Sequence, residues 1–325
     1  MTRYPSHVSI ETFHGCNARC TFCHVDQWTR QEGQMTDRIF NTILKQLDGW
    51  GQLHLQQTAL MLNGEPLYDN KLEERLATCK SAKLPNVGFT TNAQLLSAKR
   101  TEKVIQADPD YVVFSFDTLN KKTFEEKRLR LNHDRVLNNI LRFIELRNKS
   151  QSNIRIVIRH IDFKADRKEF AQYLEYFGKL LRKDTDEISY TKVHNSSVKK
   201  SIYEKFRTNH CGTTPCGAVF NRLTIQHDGH VVLCPHDFNT EYDFGSVLEG
   251  DLLKIFNSEK FDKVRSIHEQ NKRNTMNKCK SCDEPELNLS GDMYAKYTPK
   301  GKLFYANVFT GFDHISERTR KKFKK

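Results

Sequence analysis

Between residues 7 and 195 short apolar runs alternate with stretches of helical periodicity, a pattern that few folds satisfy besides parallel strands joined by crossover helices. The runs are HVSIETF, TALMLNG, NVGFTTN, YVVFSFD, IRIVIRHI and EISYTKVH. Apolar helical stripes fall between them: Met35, Ile39, Ile43, Leu47 and Trp50, then Leu72, Leu76 and Cys79, then Val136, Ile140 and Ile144, then Phe170, Leu174, Phe177 and Leu181. Six βα units predict an α/β protein built on a partial (β/α)6 TIM-type barrel over residues 1–200. Chemistry in such barrels sits at the carboxyl ends of the strands. The runs here turn polar at those ends, at Cys16 onward, Asn63-Gly64-Glu65, Thr91-Asn92, Ser115 with Asp117, Arg159, and His194-Asn195.

Near residue 200 the alternation stops, and residues 201–290, rich in Cys, Gly and Asn, read as a second, smaller domain. Residues 291–325 read as a basic C-terminal extension, since six Lys or Arg stand in the last eight positions and supply part of the net charge of +12. A solvated tail explains that run better than a nucleic-acid site, so nucleic acid is not an expected partner. No apolar run approaches the roughly 20 residues of a membrane span, and the N-terminus lacks the apolar core of a signal peptide. The chain is therefore expected in the cytoplasm. In a reducing compartment nine cysteines, seven of them close-spaced or paired, indicate metal binding rather than a disulfide framework.

Cys16, Cys20 and Cys23 follow the first strand as CxxxCxxC. Three thiolates there could hold three irons of a 4Fe-4S cluster and leave the fourth open, as reactive metal chemistry requires. A zinc site completed by His14 or His24 is the competing reading of the same residues. Cys216, Cys234, Cys279 and Cys282 provide four more thiolates, enough to close a second cluster or a zinc knuckle. A hairpin with Asp228-Gly229 at its turn lies between them. Cys79 lies on an apolar stripe and reads as a core thiol. Cys211 is a spare thiol, an alternative ligand or a hydrogen-atom donor to the substrate.

The segment GCNARCTFC, with Phe22 before its third cysteine, resembles the signature of the radical S-adenosylmethionine superfamily. The resemblance implies that the open iron chelates the cofactor, whose reductive cleavage gives a 5′-deoxyadenosyl radical that abstracts a substrate hydrogen atom. Asn63-Gly64-Glu65-Pro66 resembles the family's GGEP motif, with Asn in place of the first Gly, and implies that this turn holds the cofactor amino group. Ser115 and Asp117 resemble residues that contact the cofactor's ribose or carboxylate. Phe22 is expected near its adenine, and Thr91 and Asn92 join the cofactor-binding set. Residues 201–290 resemble the twitch domain, a shortened relative of the SPASM domain that carries one auxiliary 4Fe-4S cluster. A full SPASM domain needs more ligands than the five cysteines beyond residue 200, so one auxiliary cluster is expected.

The whole layout is similar to that of the 2-deoxy-scyllo-inosamine dehydrogenases. That similarity implies oxidation of an alcohol on a sugar or aminocyclitol-like small molecule, an electron passed to the auxiliary cluster, and Arg159 against the hydroxyl. The excess of Lys and Arg suits an anionic substrate. An electron donor such as flavodoxin or ferredoxin is the implied partner. His194 and Asn195 are candidates to line the pocket. The alternatives are an epimerase returning a hydrogen atom from Cys211, or a peptide-modifying maturase, for which no N-terminal leader-binding module is expected because the chain starts almost on its first strand. From a different class comes a non-catalytic iron-sulfur or zinc protein that binds nucleic acid.

Overall fold

The computed structural model describes residues 2–162, 167–192, 213–282, 285, 294–297 and 303–304. Counting only strands of the main sheet, β1 (His7–Ile10), β2 (Gln57–Ala59), β3 (Val87–Thr91), β4 (Tyr111–Ser115), β5 (Arg155–Asp162) and β6 (Glu187–Lys192) lie side by side in chain order. Every neighbouring pair among them is parallel. Each of the five crossovers carries one long helix: α1 (Asp37–Leu47), α2 (Leu72–Ser81), α3 (Ala98–Ala107), α4 (His133–Lys149) and α5 (Arg167–Gly178). This is the α/β architecture that the alternation predicts.

Helix starts are set by side chains that satisfy otherwise unpaired backbone donors. The Thr36, Ser97 and Asn132 side-chain oxygens accept from the N–H groups of Ile39, Arg100 and Arg135. Helix α1 buries Ile39, Phe40, Ile43 and Leu47. α3 carries no stripe legible in the sequence, because its buried face is only Thr101, Val104 and Ala107.

The two faces of the sheet differ. Val112, Phe114, Ile156 and Ile158 belong to the large core beneath the helices, while Tyr111, Val113 and Val157 form a small separate cluster on the inner face. At the amino end of that inner face Gln57 Nε2 donates to the Tyr111 hydroxyl at 2.8 Å. The Arg155 guanidinium lies 5.6 Å from the centre of the Tyr111 ring and pairs with Glu187 at 3.1 Å. This cluster fills the amino end and leaves the carboxyl ends of the strands for a ligand.

The sheet does not stop at β1 or β6. β7 (Arg222–Ile225) pairs in parallel with β1, and β8 (His230–Val232) and β9 (Asp243–Ser246) follow antiparallel, with the hairpin turn at Asp228-Gly229. On the other edge β10 (Tyr294–Tyr297) pairs antiparallel with β6, and β11 (Leu303–Phe304) with β10, giving eleven strands. Main-chain hydrogen bonds therefore join the second cysteine segment directly to the strand that leads into the first. Among the described residues no helix is long and apolar enough to cross a membrane.

Candidate active site

The cysteine loop is held by its backbone, so that its thiols stay available. Arg19–Cys20 forms a two-residue ladder with Arg128–Leu129, in which Cys20 stands opposite Arg128. The Cys23 N–H donates to the Cys20 carbonyl at 3.0 Å and Thr21 N–H to the Lys127 carbonyl at 2.9 Å. Arg19 Nη1 donates to the carbonyls of Cys16 and Ala18 at 2.7 and 2.8 Å. All three cysteines are free; Cys20 is buried and the other two partly so. Burial pushes the Cys20 thiol up to about 11, against the pull of the Arg128 charge, and burial also raises Cys16 and Cys23. Such thiols ionise readily only when a metal takes the thiolate, which suits ligands rather than free nucleophiles.

The Asn63-Gly64-Glu65 turn packs onto the entry to this loop. Glu65 N–H donates to the Gly15 carbonyl at 2.8 Å. Glu65 is buried, and its carboxylate accepts from Thr91 Oγ1 at 2.6 Å, Leu67 N–H at 3.1 Å and Asn92 N–H at 2.8 Å. Burial raises its pKa against those bonds. Asn92 Nδ2 donates to Asn17 Oδ1 at 2.8 Å and lies 3.9 Å from Cys16 Sγ. The ends of β2 and β3 are thus stitched to the first cysteine. Two buried amide nitrogens at this junction, Asn17 Nδ2 and Asn63 Nδ2, have no hydrogen-bond partner among the described residues. Buried donors without partners are uncommon, and they fit a polar group bound here.

Ser115 ends β4 directly opposite Arg159 on β5, so the two share the inner face at the carboxyl end. Asp117 is buried, and its carboxylate is held by Arg128 Nε and Nη2 at 2.6 and 3.0 Å and by the Ile161 N–H at 3.1 Å. The Arg128 guanidinium also lies over the Phe22 ring, 5.2 Å from its centre. Sequence reasoning missed Arg128. It stands in the basic run KRLR, which looks solvated, yet it is only 5% exposed.

The second cysteine set is drawn together by another buried arginine that the sequence did not single out. Arg273 donates from Nε to the Thr214 carbonyl at 2.6 Å and from Nη1 to the Cys279 carbonyl, tying the segment before Cys216 to the turn that carries Cys279 and Cys282. Cys216 N–H donates to His268 Nδ1 at 3.1 Å, and Cys234 follows β8. Burial pushes Cys234 well up, and negative charge on Cys279 and Cys216 adds to it. Among the described residues no three His, Cys, Asp or Glu side chains converge as ligands of a single ion would.

Between the two cysteine sets lies a polar clasp. Arg30 Nη2 donates to Glu11 Oε1 and sits by His14 Nδ1, both at 2.9 Å; Arg30 Nε donates to the Phe238 carbonyl at 2.7 Å, and Nη1 lies 3.2 Å from His227 Nδ1. The His24 ring stacks on Phe238 with centres 4.9 Å apart. Glu11 is fully buried; burial alone would raise its pKa, but bonds to His14 and His227 and the Arg30 charge hold it well below the usual carboxylate range. Cys79 is buried in the core as expected. Cys211, His194, Asn195 and residues 305–325 of the basic tail lie outside the described residues.

Residues 10–174 match the profile of the Radical SAM superfamily and residues 216–283 that of SPASM, an iron-sulfur cluster-binding domain. The chain is 28% identical over 133 residues to a probable GTP 3′,8-cyclase of Methanococcus maripaludis, a match covering 40% of this chain and 43% of the relative. It thus spans less than half the length of that relative. Over 307 residues it is 22% identical to a tungsten-containing aldehyde ferredoxin oxidoreductase cofactor-modifying protein of Pyrococcus furiosus, covering 80% and 83% of the two chains. Its fold is similar to that of BtrN, a 2-deoxy-scyllo-inosamine dehydrogenase solved with AdoMet and 2-DOIA (TM-score 0.57, 16% identity, 87% and 94% covered). It is also similar to Streptococcus suis SuiB bound to precursor peptide SuiA (TM-score 0.65, 17% identity, 87% and 70% covered). The first match spans half of the sequence, and it sets aside the reading of a non-catalytic metal protein. The chain belongs to the radical S-adenosylmethionine superfamily: it is a radical SAM enzyme whose cofactors are S-adenosylmethionine and 4Fe-4S iron-sulfur, with an auxiliary cluster in a C-terminal SPASM-type domain.

Proposed function

We propose that this enzyme oxidises an alcohol carbon of a small, anionic sugar- or aminocyclitol-like molecule bound at the carboxyl end of the partial barrel. The observation that carries the reading is Arg159, which stands opposite Ser115 on the inner face at the carboxyl end of the strands. A guanidinium at that end favours an anionic, hydroxyl-bearing ligand. The similarity to the dehydrogenase fold and to the cofactor-modifying relative of Pyrococcus furiosus agrees with a small substrate.

Cys16, Cys20 and Cys23 hold the radical-generating cluster in this reading, and Cys216, Cys234, Cys279 and Cys282 the auxiliary one. When bound, S-adenosylmethionine would supply hydrogen-atom abstraction chemistry at a carbinol carbon, and a cluster held by Cys216, Cys234, Cys279 and Cys282 would supply an acceptor for the remaining electron. Asn63 and Asn17 offer their amide donors to the cofactor, with Glu65, Thr91 and Asn92 fixing the turn that presents them. Arg159 orients the substrate hydroxyl beside Ser115, and the hydroxyl proton passes to solvent. A low-potential donor such as flavodoxin or ferredoxin, in a reducing cytoplasm, supplies electrons.

Product mass tests the reading. Candidate phosphorylated sugars, aminocyclitols and peptides are incubated with the reduced, reconstituted enzyme in ordinary and in heavy water. Loss of two hydrogens from a small molecule supports it. An unchanged mass in ordinary water with one deuterium gained in heavy water would make the enzyme an epimerase, and turnover confined to peptides would make it a maturase.

A further inference from the structure

Arg128 touches three parts of the radical-generating site at once, through Cys20, Asp117 and Phe22. Its backbone stands opposite Cys20 in the ladder. Two of its nitrogens are taken by both oxygens of Asp117, which fixes the plane of the guanidinium. The remaining nitrogen, Nη1, then lies 3.9 Å from Cys20 Sγ, and the Phe22 ring covers the flat face. Asp117 is itself pinned by the Ile161 N–H at 3.1 Å, so the ion pair cannot swing away without breaking a bond at β5.

An arginine needed only for packing would have its charge cancelled by the carboxylate and point its free edge anywhere. Here the free edge points at a cluster sulfur. Hydrogen bonds to cluster sulfurs and nearby positive charge favour the reduced, more negative state, and burial strengthens both. We propose that Arg128 is a positioning residue that sets the reduction potential of the radical-generating cluster, and that Asp117 sets how much of its charge the cluster feels. The step concerned is entry of one electron from an external low-potential reductant, with no bond made or broken. The proposal rests on Cys20 being a cluster ligand and holds whichever substrate the enzyme takes.

The test is a reductive titration of the reconstituted full-length enzyme without S-adenosylmethionine, followed by electron paramagnetic resonance. The signal missing from Cys20→Ala is assigned to this cluster; a full set of signals in that variant would refute the ligand assignment, separately from the role of Arg128. Arg128→Met is expected to disfavour reduction by about tenfold, about 59 mV for one electron, and Arg128→Lys to recover part of it. Asp117→Asn is expected to shift the potential the opposite way, because it leaves the Arg128 charge uncompensated. Opposite shifts support the proposal. Wild-type potentials in Arg128→Met and Asp117→Asn, or shifts of the same sign, overturn it. If Arg128→Met loses the cluster, Asp117→Asn decides alone: an easier reduction supports the proposal, and an unchanged or harder one refutes it.

Discussion

Gly64 sits so close to Phe13 that a Cβ at position 64 would lie 2.2 Å from the Phe13 carbonyl oxygen and 2.9 Å from that of Gly15. Both obstacles are backbone, which cannot rotate aside. The Asn63-Gly64-Glu65 turn and the entry to the cysteine loop therefore form one packed unit. Gly64→Ala should separate them, with an overpacking cost of about 1–3 kcal/mol and a larger loss in cofactor affinity than in fold stability. Thermal melts beside titration with S-adenosylmethionine would show the split. A variant that binds the cofactor as tightly as wild type would contradict the close packing.

The clasp at Arg30 predicts a different outcome. Glu11 is 0% exposed, so Arg30→Met would leave a buried carboxylate with its main cation removed, at a cost of about 3–5 kcal/mol. The Phe238 carbonyl loses its donor in the same change. Amide exchange should rise chiefly at 227–239, where the auxiliary segment meets the cysteine loop, and much less in α4. Uniform exchange across the chain would show that the clasp is not local.

Arg147 and Asp186 make a fully buried pair far from the chemistry, with bonds of 2.9 and 2.5 Å. Asp186 also accepts from the N–H groups of Ile156 and Arg182 at 2.9 and 2.8 Å. Arg147→Met should cost about 3–5 kcal/mol, while the double variant with Asp186→Leu should cost less than the sum of the single changes, because no lone charge stays buried. Denaturant melts of the two single variants and the double would measure the coupling.

Cys234→Ala should remove the auxiliary cluster alone. Iron should fall by about half, from roughly eight to roughly four per chain. Cleavage of S-adenosylmethionine should survive, and substrate oxidation should stop for want of an electron acceptor. Iron analysis paired with 5′-deoxyadenosine and product assays would separate these effects.

The strands and the four long stripes were legible because burial imposes periodicity: Ile39, Ile43 and Leu47 announce α1. α3 was not, since Thr101, Val104 and Ala107 are too small and too polar to form a visible stripe. Within the site, cysteine spacing and the NGEP turn could be read because local chemistry fixes their spacing. Arg128, Arg30 and Arg273 could not, because each acts across the fold. Arg30 meets Phe238 208 positions away, and Arg273 meets Thr214 59 positions away. Nothing in the neighbouring sequence distinguishes such a buried cation from a solvated one. The strands at Tyr294–Tyr297 and Leu303–Phe304 were hidden for a related reason: an edge strand draws its order from the main-chain donors and acceptors of its neighbour.

At the centre stands the assignment of seven cysteines to two clusters, one of which activates S-adenosylmethionine. Its most direct test is anaerobic reconstitution with iron and sulfide, followed by metal analysis and an assay for 5′-deoxyadenosine after reduction. The expected result is about eight irons per chain, 5′-deoxyadenosine formed on reduction, and loss of that product in Cys16→Ala, Cys20→Ala and Cys23→Ala. A well-loaded enzyme that leaves S-adenosylmethionine intact, or forms 5′-deoxyadenosine equally without those three cysteines, would contradict it.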